Sequence, residues 1–179
     1  MSLPLPATAG VDRPGTPSPL EEEVVGLFDQ LRERLLRYLL SFGLPVSDGE
    51  EIVQEVFLAL FQHLRRDRSR ENLRGWVFRV AHNLALKRRH QARRDPRSLG
   101  ALQLADPAPS PEDQITHRQT QQRLRAVLDV LPEQDRHCLF LRAEGLRYRE
   151  IAKVLDMSLG AVSLSLGKSL ARLARAAER

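Results

Sequence analysis

Between Leu131 and Val162 the chain is punctuated as a run of short helices, and this punctuation restricts the possible folds more than any other feature. Leu131 closes one helix and Pro132 opens the next, where a missing N–H costs nothing. The helix from Glu133 buries Cys138, Leu139 and Leu141, and Gly145 stops it. A short helix follows, with Ile151, Ala152 and Leu155 on one face, and Asp156-Met157 makes a turn. Ser158 then caps a last helix whose buried face repeats as Val162, Leu166, Leu170 and Leu173. The spacing predicts a helix-turn-helix, a geometry that projects its last helix outward, where it can enter a DNA major groove.

The rest of the chain is helical in pattern too. Val24, Leu27, Phe28, Leu31, Leu35 and Leu39 fall at three- and four-residue steps, until Gly43 and Pro45 break the helix. Ser47-Asp48-Gly49-Glu50 has the form of a capping box, opening a helix that buries Ile52, Val53, Val56, Phe57, Leu60 and Leu64. Asn72 is placed to cap a third helix with the stripe Leu73, Trp76, Val77, Val80 and Leu84, which ends in the basic run Lys87, Arg88, Arg89, Arg93 and Arg94. Residues 95–111 hold four prolines and little periodicity, the composition of an extended linker. Ser110 is placed to cap the helix that runs on to about Val130. No strand pattern appears. The expectation is an all-α fold with two small helical domains joined by a flexible linker: a disordered tail 1–20, a first domain 21–94, a linker 95–111 and a second domain 112–179.

Charge and composition narrow the function. The net charge of +5 and a pI near 10.1 favour a polyanionic partner. The charge is also segregated. Glu21, Glu22, Glu23, Asp48, Glu50, Glu51 and Glu55 crowd the first two helices, and the stretch from Arg65 to Arg97 is basic. One module can thus hold a basic protein surface on one side and a nucleic acid on the other. The one cysteine, Cys138, fits a reducing cytoplasm and sits on an apolar face, which points to core packing. No apolar run approaches the roughly 18 residues of a membrane span, and the tail 1–20 lacks the basic-then-apolar order of a secretory signal. The histidines His63, His82, His90, His117 and His137 are scattered without metal-ligand spacing, and no phosphate loop or nucleophile elbow occurs. Neither an enzyme, a cofactor nor a metal is expected.

Within the basic stretch, Asn83 offers a donor and an acceptor that suit a base edge. Trp76, close to Arg74, Arg79 and His82, can stack on an unpaired base or fill the core, and both readings stand.

These segments resemble the sigma-70 family of bacterial RNA polymerase sigma factors, in the short extracytoplasmic-function type that keeps two domains. Asp48-Gly49-Glu50-Glu51-Ile52-Val53-Gln54-Glu55-Val56-Phe57-Leu58 is similar to the family's polymerase-binding helix. Gly75-Trp76-Val77-Phe78-Arg79-Val80-Ala81-His82-Asn83-Leu84-Ala85 is similar to the helix that reads the −10 promoter element, and Leu131 to Val162 to the helix-turn-helix that reads the −35 element. The resemblance spans about Glu21 to Arg175. It implies that the first domain docks on the clamp helices of the polymerase β′ subunit and captures unpaired −10 bases. The second domain would sit on the β flap and read −35 duplex, and an anti-sigma factor would be a further partner. On this basis Asp48, Glu51, Gln54, Glu55, Phe57 and Leu58 would face polymerase. Arg74, Trp76, Arg79, Asn83, Lys87 and Arg88 would contact the −10 element, and Arg147, Arg149, Ser158, Ser163, Ser165, Lys168 and Arg172 the −35 element.

The last helix departs from its relatives. After Val162 it continues Ser163-Leu164-Ser165-Leu166-Gly167 where many relatives carry basic residues, and its first cation is Lys168. Weak −35 binding is therefore expected, with most promoter specificity in the first domain. Two other functions stay open: a stand-alone helix-turn-helix regulator, against which the acidic helix argues, and a sigma-like adaptor whose altered last helix binds a partner protein.

Overall fold

A computed structural model describes residues 17–94 and 114–178, and among these every regular element is an α-helix. The order is α1 (Pro19–Leu40), α2 (Val46–Arg65), α3 (Leu73–Arg94), α4 (Gln114–Val130), α5 (Glu133–Ala143), α6 (Tyr148–Leu155) and α7 (Leu159–Ala177). The linker, Ser110 and most of the N-terminal tail lie outside the described residues.

Local chemistry accounts for the boundaries and moves two of them. Helix α1 begins inside the stretch expected to be tail. Ser18 Oγ accepts the Glu21 N–H at 3.3 Å, and Glu21 returns a carboxylate oxygen to the Ser18 N–H at 2.8 Å. This is a complete capping box, with Pro19 in the first turn. Conversely, Ser47 caps nothing. Pro45, with φ fixed at −57°, starts α2 two residues early by accepting the Gly49 N–H at 3.0 Å, so Ser47 lies inside the helix. Gly49 is there for close packing, since a Cβ would come within 2.9 Å of Leu36 Cδ1. Asn72 does cap α3, accepting the Gly75 N–H at 3.2 Å. Gly145, at φ +82°, ends α5 as expected.

Helices α1, α2 and α3 form one bundle, and α4 to α7 form the other, with the helix-turn-helix in α5 to α7. Ser158 Oγ caps α7 through the Ala161 N–H at 3.1 Å, and Asp156, at φ +53°, turns the chain ahead of it. The two bundles do not stand apart. Helix α3 packs on α1 and α2 and also lies against α6, so residues of both halves join one core cluster.

That second contact explains why the buried stripe on α3 is wider than its sequence suggested. Leu73, Trp76, Val80 and Leu84 are only half-buried, whereas Val77, Phe78, Ala81, His82 and Ala85 are fully buried. The inner face of α7 is rotated as well. Val162, Ser165, Leu166 and Ser169 point inward at i, i+3, i+4 and i+7, and Leu170 is 49% exposed.

Candidate polymerase and nucleic-acid interfaces

Helix α2 turns an acidic face outward. Glu51, Gln54 and Glu55 are exposed, Asp48 is half-buried, and Leu58, 60% exposed, stands among them as a large apolar group. Phe57 departs from the expected set. It is buried and meets the Phe28 ring edge-on at 5.0 Å, so it supports the face from beneath. Gln54 also lines a small cleft with Phe28, Arg32, Leu36, Glu50 and Val53.

Helix α3 supplies the basic surface next to it. Arg79, Asn83 and Lys87 are exposed in one i, i+4, i+8 line, as a groove-facing or strand-facing row requires. Arg88 bridges the two surfaces. Its guanidinium hydrogen-bonds Glu51 at 3.0 and 3.1 Å, and lies 3.7 Å from both Asp48 and Glu55. The other two expected contacts are otherwise engaged. Trp76 is half-buried with its ring 4.7 Å from His63, and Arg74 donates to the Glu144 carbonyl in the turn between α5 and α6.

The helix-turn-helix presents a shallow surface at the start of α6 and α7. Arg147, Tyr148, Arg149, Leu159, Gly160 and Ser163 line it together. Glu150 ties down the α6 start by accepting the Arg147 N–H at 2.6 Å, and Arg142 lies 5.6 Å over the Tyr148 ring. Further along α7, Ser163, Leu164, Gly167, Lys168 and Arg172 line a second depression. Ser165 is not on this face. It is buried and donates to Asp135 on α5 at 2.6 Å, so its hydroxyl is spent inside the module.

Sequence reasoning missed the contact between the two halves. Arg37 on α1 reaches Glu144, and Arg89 on α3 pairs with Glu133 at the start of α5. Between these pairs Tyr38 hydrogen-bonds His82 Nδ1 at 2.8 Å, Phe42 stacks on His137 at 4.2 Å, and the two imidazoles meet edge to face at 5.4 Å. Burial lowers both histidines from 6.5 to about 4, with His82 a further cause for His137. Hydrogen bonding to Arg89 holds the Glu133 carboxyl below its usual range. His82 and His137 were legible only as scattered histidines, because the contacts that join the halves, Tyr38 to His82, Phe42 to His137 and His82 to His137, link residues 44 or more positions apart.

Burial raises the pKa of the Cys138 thiol, consistent with its place in the core. Among the described residues there is no cluster of three or more His, Cys, Asp or Glu that could hold a metal ion. No described helix is long and apolar enough to cross a membrane.

Both modules match families of known proteins. Sigma-70 region 2 matches residues 27–95, and Sigma-70, region 4 matches residues 121–173. The RNA polymerase sigma factor CnrH of Cupriavidus metallidurans is 31% identical over 143 residues, covering 74% of this chain and 75% of its own length. The ECF RNA polymerase sigma-E factor of Escherichia coli K12 is 30% identical over 138 residues, covering 69% and 71%. The sigma factor RpoE of Bartonella quintana, solved with the anti-sigma factor NepR, shares the fold at a TM-score of 0.65. The match has 17% identity and covers 88% of this chain and 98% of that one.

Proposed function

The chain belongs to the sigma-70 family, in its extracytoplasmic-function type, and from that premise we propose how its surfaces are divided between polymerase and promoter. As a sigma factor it binds core RNA polymerase and directs promoter-specific transcription initiation. The observation that carries the division is the pairing of faces on the first module. An acidic, partly apolar face on α2 stands beside a cation-and-amide row on α3.

In this reading Asp48, Glu51, Gln54, Glu55 and Leu58 dock on the basic β′ clamp helices, with Phe57 holding the helix in place from within. Asn83 reads an unpaired −10 base, Arg79 and Lys87 hold the backbone, the half-buried Trp76 borders that surface, and Arg74 joins it once the modules part. Arg147, Arg149, Ser163, Lys168 and Arg172 lie along −35 duplex. Ser158 contributes the helix N-terminus, whose free N–H groups suit a phosphate. The second module also takes the β flap. The working units are residues 21–94 and 112–179, with the capping turn at Ser18 added to the first. The chain works in the cytoplasm with polymerase and performs no catalytic step itself. An anti-sigma factor is a further partner, as for the RpoE relative.

Run-off transcription with purified core polymerase on a genomic promoter library tests the reading. Initiation from a discrete promoter set is the expected result. Specific DNA binding with no polymerase-dependent initiation would instead mark a stand-alone regulator.

The exposed Leu164, at 59%, favours one addition: this part of α7 also meets protein. The adaptor reading requires that contact without promoter-specific initiation.

A further inference from the structure

The two promoter readers share one hydrophobic core here. The elements they are proposed to read lie about 25 base pairs apart, roughly 85 Å of B-DNA at ~3.4 Å per step. Two modules in direct contact cannot span that distance, so on the reading above the contact between α3 and α6 must break before both elements are bound. What holds it closed therefore controls the protein.

The closed contact has a distinctive centre. His82, from α3, and His137, from α5, sit 8% and 3% exposed between the Tyr38 ring on α1 and the Phe42 ring that follows it. Tyr38 Oη lies 2.8 Å from His82 Nδ1, and in the neutral tautomer that carries its hydrogen on Nε2 the hydroxyl donates to Nδ1. Protonation would turn that nitrogen into a donor and force the buried hydroxyl hydrogen elsewhere. His137 Nε2 is buried with no hydrogen-bond partner, and the nearest carboxylate, Glu133, is 3.9 Å away. We infer that His82 and His137 form a proton-sensitive latch: neutral, they seal the two modules together, and protonated, they drive them apart.

The surrounding charges support the direction. From α3, Arg89 approaches and engages Glu133. From α5, Arg136 adds a second cation, Glu133 is the one facing anion among the described residues, and Cys138 is neutral. From α1, Tyr38 is neutral, its ionisation pushed well up by burial. Glu133 attracts an imidazolium, but its charge is already matched by Arg89. Two imidazolium ions would also stand 5.4 Å apart, ring centre to ring centre, in a nearly dry site.

The sign follows from linkage. Both histidines titrate at about 4 when closed and near 6.5 in water, so above pH 6.5 the latch is at full strength. As pH falls from 6.5 toward 4 the open form binds protons that the closed form refuses. The open-to-closed ratio then rises about tenfold per pH unit per histidine, or about a hundredfold from pH 7.5 to 5.5.

Small-angle X-ray scattering of the full chain at pH 7.5 and 5.5, with circular dichroism on the same samples, tests this. The expected result is a larger radius of gyration at pH 5.5 with helical content unchanged. His82→Phe with His137→Phe should stay compact at both values. If that variant misfolds, His137→Gln alone should reduce the proton dependence of opening from about two protons to about one. An unchanged radius in the parent, or the same expansion in a well-folded double variant, overturns the latch. A chain that stays compact at both values yet initiates with core polymerase would refute the latch and leave the sigma function standing. Expansion without initiation would do the reverse.

Discussion

Arg37 and Glu144, 107 residues apart in the chain, form a two-pronged ion pair in which Nε donates to Oε1 at 3.0 Å and Nη2 to Oε2 at 2.9 Å. The partners are unequal. The Glu144 side chain is 9% exposed and the Arg37 side chain 57%, so the carboxylate bears most of the desolvation and depends on the guanidinium to offset it. Arg74 adds a donor to the Glu144 carbonyl, so helices α1 and α3 both grip the turn that opens the helix-turn-helix.

Removing Arg37 should therefore destabilise the closed protein. Because the guanidinium stays half in water, the loss for Arg37→Ala is about 1–2 kcal/mol, below the ~3 or more of a fully buried pair. In a chain of this size that lowers Tm by roughly 3–6 °C, readable by thermal circular dichroism. An unchanged Tm would mean that the pair contributes nothing net.

On α2, reversing charge at Glu51 and Glu55 together should weaken core polymerase binding at least tenfold, about 1.4 kcal/mol, with helical content unchanged. Both carboxylates also neighbour Arg88, so Arg88→Ala is the internal control. It removes their intramolecular competitor and should leave core affinity intact or raise it. A pull-down in which Arg88→Ala loses core as fully as the double reversal would show that the reversal acts through the α2–α3 packing.

The elements and most of the outward-facing residues were legible because they depend on local rules. The Asn72 and Ser158 caps, the Gly145 stop and the acidic face of α2 are short-range patterns, and each stands in the structure. Failures came where a local pattern met a stronger neighbour or a distant partner. Ser47 lost to Pro45, whose locked φ began the helix earlier. Ser165 and Ser169 took inward positions expected for leucine, and Ser165 did so because Asp135, 30 residues earlier, offered an acceptor. The largest omission was the joining of the two halves. Phe78 and His82 look unremarkable in sequence, and only the fold brings them to Tyr38.

For the −10 surface, Asn83→Ala should change preference at one base, costing about 1–3 kcal/mol against the preferred one. Lys87→Ala should weaken every sequence about equally and flatten the salt dependence by about one counterion. Both residues are exposed, so neither change should alter Tm. Fluorescence anisotropy of the holoenzyme on fork-junction promoters separates the two patterns, and a uniform loss in both variants would remove base reading from Asn83.

Two serines on α7, two positions apart, should answer oppositely to the same change. Ser163→Lys adds a cation to an exposed face and should raise duplex affinity and steepen its salt slope, with stability unchanged. Ser165→Lys puts a long charged chain into a site 5% exposed and displaces the hydrogen bond to Asp135. A loss of about 2–4 kcal/mol in denaturant unfolding is expected, even though Asp135 offers an opposite charge. Equal tolerance at both positions would mean that α7 is not rotated as described.

Gly167 provides the most direct test of what the outer face of α7 meets. It lies exposed in mid-helix between Leu164 and Lys168, and a Cβ built there would touch nothing within 4 Å. Glycine in a helix interior costs about 1 kcal/mol relative to alanine, so Gly167→Ala should raise Tm by roughly 2–4 °C. That cost makes sense if a duplex backbone approaches the bare Cα closely, in the groove also lined by Ser163, Lys168 and Arg172. The expected outcome is then a more stable protein with weaker −35 duplex binding, measured by anisotropy at physiological salt. A gain in stability with unchanged duplex affinity would place this face away from DNA, and the exposed Leu164 beside it would then mark a protein contact.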